Sequence, residues 1–391
     1  MHDQCYDNTK FATLSTGYKD IFMIPDHGTL RRLCVDDDIP TFHVDFTQEN
    51  GERIPICPRG LLKSTLQKYH QQSMKALCGV ELEWFNFSET SQSAASKNFE
   101  NLSFLTSGMY GYSMLKPSMN SEYFNSIMKT SKASGIQIEC IHTETGPGVY
   151  EAALKYCDAL CAADNGQLFK TLVKQVGFKH GIMPSFMAKP FDNLPGNGGH
   201  LHFSLQNGGL NVFFDPSDKH QMSSTMKYFI AGILKCLPDI IPLFAPTINS
   251  YKRLVEKYWA PVFVCWGFEN RLAAVRVTGS GQSIRIEMRV PGSDANLYLA
   301  IAATLAAGYY GIENKLPLSH PVGDSHSLKN FDKIPSSLRE ATQKMMAKDS
   351  MARILFDNDF VDHFGATRMW ECQQFETAVT SWERKRYLEI I

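Results

Sequence analysis

Apolar and polar positions alternate through Arg285-Ile286-Glu287-Met288-Arg289, with Val290 next. On a β-strand, alternate side chains share a face, so two guanidinium groups and one carboxylate lie together opposite apolar residues. Alone, this pattern fits a solvated edge strand. The same device recurs in Glu81-Leu82-Glu83 within GVELEWFNF and in His200-Leu201-His202 within GGHLHFSL. Three such stretches predict one sheet whose polar concave face is an active site.

The remaining pattern supplies the frame. Residues 1–60 read as a small half-buried sheet, from an apolar run at 20–26, alternation at 43–46, a turn at 49–52 and a further strand at 53–56. A helix is predicted over 60–76, where Leu61, Leu62, Leu66 and Tyr69 recur at helical spacing. Strands are predicted over 79–87, 136–142, 181–188, 259–266 and 273–277. Helices are predicted over 123–134, 158–177, 225–236, 294–310, 336–348, 351–356 and 367–388. The polar stretch 88–110 reads as a surface loop. Gly146-Pro147-Gly148 marks a sharp turn, and Pro195-Gly-Asn-Gly-Gly199 feeds the histidine strand.

Composition narrows the class. The 391 residues are 43% apolar and 20% charged, which is ordinary for a soluble globular chain. A net charge of −1 argues against nucleic-acid and polybasic membrane partners. The first residues lack a secretory pattern, and the weakly polar run 297–310 is too short to span a bilayer. Ten cysteines are scattered with no CxxC pair. They read as free thiols of a cytoplasmic protein, with Cys157 and Cys161 on the buried face of one helix, and no structural zinc site.

The charged positions suggest chemistry. Glu81 and Glu83 repel on an apolar strand unless a cation sits between them. Glu144 and Glu151 bracket a Gly-Pro-Gly turn that brings two carboxylates together. The glycines before His200 lack GxGxxG spacing, and GxxxxGK[ST] is absent, so neither dinucleotide fingerprint nor P-loop is present. Arg253, Arg271, Arg276, Arg285 and Arg289 cluster in one quarter of the chain, and arginine forks bind carboxylate and phosphate. Five glutamates with one or two histidines suit a pair of hard divalent cations, Mg²⁺ or Mn²⁺. The class implied is metal-assisted phosphoryl transfer.

At this point GVELEWFNF, HTETGPGVYE, KPFDNLPGNGGHLHFSL, PTINSYKRLV, GFENRLAAVRV and SIRIEMRVPGSDANLYLAIAATLAAG together resemble the glutamine synthetase superfamily over nearly the whole chain. The ending TAVTSWERKRYL is similar to those of the glutamine synthetase-like, fungal-type γ-glutamylpolyamine synthetase branch. The resemblance implies an α+β fold. A β-grasp-like domain spans 1–58, shortened against the family's usual start, and a catalytic domain spans 59–391. In the catalytic domain a curved antiparallel sheet lines a funnel shared between subunits of a double ring. It also implies roles. Glu83, Glu144 and Glu151 match one metal site, and Glu81, His200 and Glu287 a second. His202 and Arg285 match nucleotide and phosphate contacts. Arg253, Arg289 and the Gly196 backbone match groups that hold glutamate. Arg271 and Arg276 match groups that neutralise the transferred phosphate.

Departures from the family bear on the amine. A flap glutamate that binds and deprotonates ammonium is replaced by Trp259, the flap's Pro-Gly is Glu256-Lys257, and Pro195 stands where an asparagine is common. The family's N-terminal ammonium-site aspartate has only Asp7 nearby. Tryptophan accepts no proton but offers an aromatic face to an organic ammonium. The leading expectation is an ATP- and Mg²⁺-dependent ligase joining glutamate to an organic amine. The alternatives are a true glutamine synthetase using ammonium and a non-catalytic assembly or regulatory protein on the same scaffold.

Overall fold

All three charged stretches fall on neighbouring strands of one nine-stranded sheet. The computed structural model describes residues 11–391 except Ala12, Leu14, Thr16, Lys19, Cys34, Asp36 and residues 324–326. Asp7, Cys5 and Cys34 therefore lie outside the described residues.

Four short strands open the chain: β1 (Phe22–Pro25), β2 (Arg31–Leu33), β3 (Ile39–Thr41) and β4 (Val44–Thr47). They form two separate antiparallel pairs, β1 with β4 and β2 with β3, where the sequence pattern suggested one sheet. Arg53 contributes only an isolated bridge to Thr47, because Pro55 ends the extended run. Helix α1 (Pro58–Gln71) follows and carries Arg59. The Arg59 guanidinium donates to Asp164 at 3.0 and 3.1 Å, to Asp45 at 3.0 Å and to Asp26 at 2.9 Å. One buried cation thus pins both strands of the β1–β4 pair, at their Pro25–Val44 end, to the larger body.

The larger body begins with β5 (Lys75–Phe87) and the short α2 (Ser91–Ser96) inside the polar stretch. Next come α3 (Leu115–Ser118), α4 (Ser121–Ala133), β6 (Ile138–Thr143), β7 (Val149–Asp158) and α5 (Ala159–Lys179). Then come β8 (Met183–Ser185), β9 (Leu201–Asn207), β10 (Leu210–Asn211), α6 (Ser224–Ile240) and α7 (Ser250–Arg253). β11 (Trp266–Phe268), β12 (Val275–Thr278), β13 (Arg285–Met288) and α8 (Leu297–Glu313) follow. The chain closes with α9 (Leu338–Met346), α10 (Met351–Leu355), α11 (Asn358–Thr377) and α12 (Ser381–Tyr387).

The sheet runs β11-β12-β13-β9-β5-β7-β6, with β8 beside β5 and β10 beside β9. Every pair is antiparallel except β11 with β12. Its apolar face carries Val80, Leu82 and Trp84 of β5, Leu201, Phe203 and Leu205 of β9, and Ile286 and Met288 of β13, all buried in the main core. Helices α1, α5, α6 and α8 contribute to the same core. Burial of that face leaves the opposite face to the polar residues, as the alternation requires. No helix among the described residues is long and apolar enough to cross a membrane.

Three further expectations fail locally. Residues 259–266 are not a strand, since Trp259 has φ +54 and Pro261 interrupts pairing. The predicted helix over 367–388 breaks at Ala378, and α12 restarts behind a Thr380–Glu383 capping box. Cys157 ends a strand, and only Cys161 is helical; both are half-buried.

Candidate active site

Strand register builds the site. His202 lies opposite Glu287 on one side and Gly79 on the other, and Glu83 lies directly opposite Glu151. Opposed like charges destabilise a strand pair unless something neutralises them. The β6–β7 turn brings Glu144 close: Gly148 at φ +69 has no room for a Cβ, which would lie 2.6 Å from the Asn86 carbonyl.

Twelve of the fourteen nominated residues line one cleft of about 480 Å³: Glu81, Glu83, Glu144, Glu151, Gly196, His200, Arg253, Trp259, Arg271, Arg276, Glu287 and Arg289. The other two, His202 and Arg285, line a second cavity of about 500 Å³. Glu81 and Ala153 border both, so the two spaces meet across the middle of the sheet.

Among the described residues, three groups of acid and histidine ligand atoms each fall within 4.8 Å of one another: Glu81 with His200 and Glu287, Glu83 with Glu151 and His200, and Glu144 with Glu151 and His142. In the first group, His200 Nδ1 is 3.4 Å from Glu81 and 3.6 Å from Glu287. In the third, His142 Nε2 is 3.4 Å from Glu151. Glu83 is steadied by the Gly198 N–H at 2.5 Å. Glu144 accepts the Thr145 N–H at 2.8 Å.

Electrostatics separates these carboxylates. Burial, with Glu83, Glu81 and Glu144 close by, raises the Glu151 carboxyl well above the usual range. Burial opposes ionisation of Glu81, but hydrogen bonds to His200 and His202 win and hold it well below that range. Burial also opposes ionisation of Glu287, and His200, Arg289 and His202 overcome it. A carboxylate that resists ionisation beside three others is a site that a divalent cation would relieve. The oxygen-rich donor set fits Mg²⁺ or Mn²⁺.

The arginines form a wall. Arg276 Nη1 donates to Glu287 at 2.8 Å, and Arg289 pairs with the same carboxylate. Arg289 Nε also donates to the Arg271 carbonyl at 3.0 Å. Arg253 ends α7, is buried, and donates to the Val290 carbonyl just beyond β13 at 2.9 Å. Burial lowers its guanidinium to about 10. A Cβ on Gly196 would meet the Ala188 carbonyl at 2.3 Å and Arg253 Cγ at 3.0 Å, so only backbone fits there. In the second cavity, Arg285 Nε donates to His202 Nδ1 at 3.2 Å, which leaves His202 Nε2 to donate to Glu81 at 3.0 Å.

Several residues escaped the sequence reading. His142 stacks against Tyr112 at 4.9 Å, and both line the cleft. His142-Thr-Glu144 repeats the alternation already used elsewhere, so it was readable; Tyr112 lies in a loop with no period. Tyr258 lines the cleft beside Trp259 and carries Lys189 Nζ 4.0 Å from its ring centre. Glu269 donates nothing to the cleft but grips Arg276, as its Oε2 accepts from Nε at 3.0 Å.

A family model described as "Glutamine synthetase, catalytic domain" matches residues 55–387. The chain belongs to the glutamine synthetase family. It is an ATP-dependent ligase of the glutamate–amine type. It is 47% identical over its full length to type-1 glutamine synthetase 2 of Dictyostelium discoideum, covering 76% of that protein. It is 35% identical over its full length to glutamate–isopropylamine ligase of a Pseudomonas species, covering 86% of it. A solved structure titled GmaS/ADP complex superposes with a TM-score of 0.84 at 28% identity, covering 95% of this chain and 86% of that one.

Proposed function

We propose that this chain joins the γ-carboxylate of glutamate to an organic amine, using ATP. ATP phosphorylates the carboxylate, and the amine displaces phosphate from the acyl phosphate. The observation that carries the choice of amine is Trp259, 53% exposed at the wall of the cleft where the family places a carboxylate for ammonium. Tyr258 beside it makes that wall aromatic. Aromatic faces attract alkylammonium groups and cannot take a proton from ammonium.

The remaining residues take roles under this reading. Arg253 and Arg289 orient glutamate, whose backbone-side contact is Gly196. Glu81, His200 and Glu287 hold one cation; Glu83, Glu144 and Glu151 hold another, with His142 within reach. The cations, when bound, offset the repulsion between carboxylate and phosphate. Arg271 and Arg276 present guanidinium groups to the transferred phosphoryl group, where fixed charge is most effective. His202 and Arg285 face the nucleotide in the second cavity. Ring assembly belongs to the same proposal, and the exposed apolar strand β1 supports it.

The test is phosphate release from ATP with glutamate and a panel of amines. Turnover with an alkylamine or polyamine and weak turnover with ammonium is expected. Trp259→Glu should shift the preference toward ammonium. Turnover with ammonium alone removes the proposal. Glutamine synthesis is the second reading, favoured by the name of the 47% identical relative. The full set of ligand-type residues counts against a non-catalytic scaffold.

A further inference from the structure

Two thiols with no part in the ligase chemistry meet at an irregularity of β7. The register with β5 pairs Cys78 with Cys157 and Val80 with Leu154, so β7 carries one extra residue there. Such a bulge reverses which face later side chains take. Before it, Glu151 and Ala153 point into the cleft; after it, Tyr156 reaches the second cavity and Cys157 turns toward α5. Cys161 lies in the first turn of α5. The buried Asn165 amide, one turn further on, lies 3.8 Å from Cys157 Sγ and 3.5 Å from Cys161 Sγ. The one amide thus brackets both sulfurs. Both are half-buried and reachable from solvent, whereas Cys78 is enclosed and burial raises its thiol.

We propose that Cys157 and Cys161 form a reversible redox site, closing to a disulfide that alters the second cavity through Tyr156. The neighbouring Cys157 thiol outweighs burial at Cys161 and, with Arg31 nearby, favours its thiolate. That makes Cys161 the attacking sulfur. The oxidant is a low-molecular-weight disulfide. The Cys161 thiolate attacks one of its sulfurs, its S–S bond breaks, and one thiolate leaves. Cys157 then loses its proton to solvent and attacks Cys161 Sγ, which releases the second thiolate. The pair gives up two electrons and two protons, and the oxidant becomes two thiols. Closure draws the sulfurs to a bonded distance of about 2.05 Å. Cys157 moves toward α5, and Tyr156, next to it on the opposite face, moves with it.

The experiment equilibrates the full-length protein in oxidised and reduced glutathione, quenches with acid, alkylates and reads peptides by mass. A species two hydrogens lighter that joins Cys157 to Cys161, and that dithiothreitol reverses, is expected. Asn165→Ala should slow its formation. Oxidation should raise the KM for ATP several-fold in the wild type and leave Cys157→Ser unchanged. The effect on ATP rests on the nucleotide reading of the second cavity, but the peptide mass does not. If both cysteines stay separately alkylated under buffers that fully oxidise a control dithiol peptide, the proposal fails. A lasting glutathione adduct on Cys161 beside a free Cys157 also overturns it. A linked peptide with unchanged ATP kinetics overturns the coupling through Tyr156.

Discussion

Glu151 is the residue at which the competing charges are most visible. Its carboxyl prefers the proton because burial and Glu83, Glu81 and Glu144 disfavour a further negative charge. With a folded-state value above the ordinary 4.5, its contribution to apo stability is complete below 4.5 and is lost as pH rises through the raised value. A bound cation takes over from that proton. The rise in Tm on adding Mg²⁺ or Mn²⁺ should therefore grow between pH 5 and pH 8, and Glu151→Gln should flatten the trend. A metal-induced shift that is independent of pH in the wild type would contradict this. Glu269 raises a different question, because an exposed acid sits in the left-handed region at φ +46. That conformation costs roughly 1–2 kcal/mol outside glycine. Its oxygens accept from Arg276 and, at 2.6 Å, from Thr278. Arg276 is thus held between Glu269 and Glu287, and its fork stays aimed when a cation claims Glu287. Glu269→Gln should lower kcat by about tenfold to a hundredfold through misalignment. The KM for glutamate should hold, and an unchanged kcat would remove Glu269 from the mechanism. Twelve of the fourteen nominated residues meet in one cleft because strand alternation and motif spacing place them together. Glu269 was not legible in the sequence, since its role depends on a φ angle and on a partner seven residues away.

At the scale of elements, the turn between β6 and β7 decides whether Glu144 and Glu151 meet. Asn86, fully buried on β5, anchors it. Its backbone and side-chain N–H groups donate to the Gly148 carbonyl at 2.9 and 3.1 Å, while its Oδ1 accepts from Trp84 and Tyr123. Gly148→Ala forces a Cβ against the Asn86 carbonyl at positive φ. A loss of about 3 kcal/mol is expected from strain and overlap combined. Urea denaturation should show it, with weaker Mn²⁺ binding alongside. Wild-type metal affinity in Gly148→Ala would mean that the turn does not set the carboxylate spacing. The sequence pattern located this turn because Gly-Pro-Gly admits few conformations. It misplaced a strand over 259–266, where apolar and aromatic residues suggest extension but Trp259 takes a left-handed turn. The break before α12 was also readable, since Thr380 and Glu383 have capping-box spacing. Apolar periodicity alone runs straight through such a cap.

For the whole molecule, the alternation in three short stretches was enough to foresee a concave polar sheet, because burying one face leaves the other no choice. Exposure of the N-terminal strands was not foreseeable. An apolar run such as Ile21-Phe-Met-Ile24 reads in sequence as part of a half-buried sheet. In the structure all four side chains are exposed, and so are Leu30 and Ile39. Among the described residues, β1 pairs only with β4, leaving one edge of that sheet open. A soluble chain rarely keeps such a patch uncovered. The cleft, with Trp259 exposed at its wall, is also a place where a second chain could complete a wall. Head-to-tail contacts of one apolar strand with a different surface on the next copy close into rings when the rotation permits. The assembly proposal therefore predicts that the purified protein is a multi-subunit ring by light scattering and electron microscopy. Introducing charge with Phe22→Asp and Met23→Asp should dissociate it. Because these residues lie outside the cleft, the dissociated protein should keep its helical signal and its Mn²⁺ binding. It should lose most turnover if the neighbouring copy completes the site, and wild-type activity should then fall on dilution below the assembly constant. A wild-type monomer with full, concentration-independent activity would show that the strand is covered by something other than a second copy.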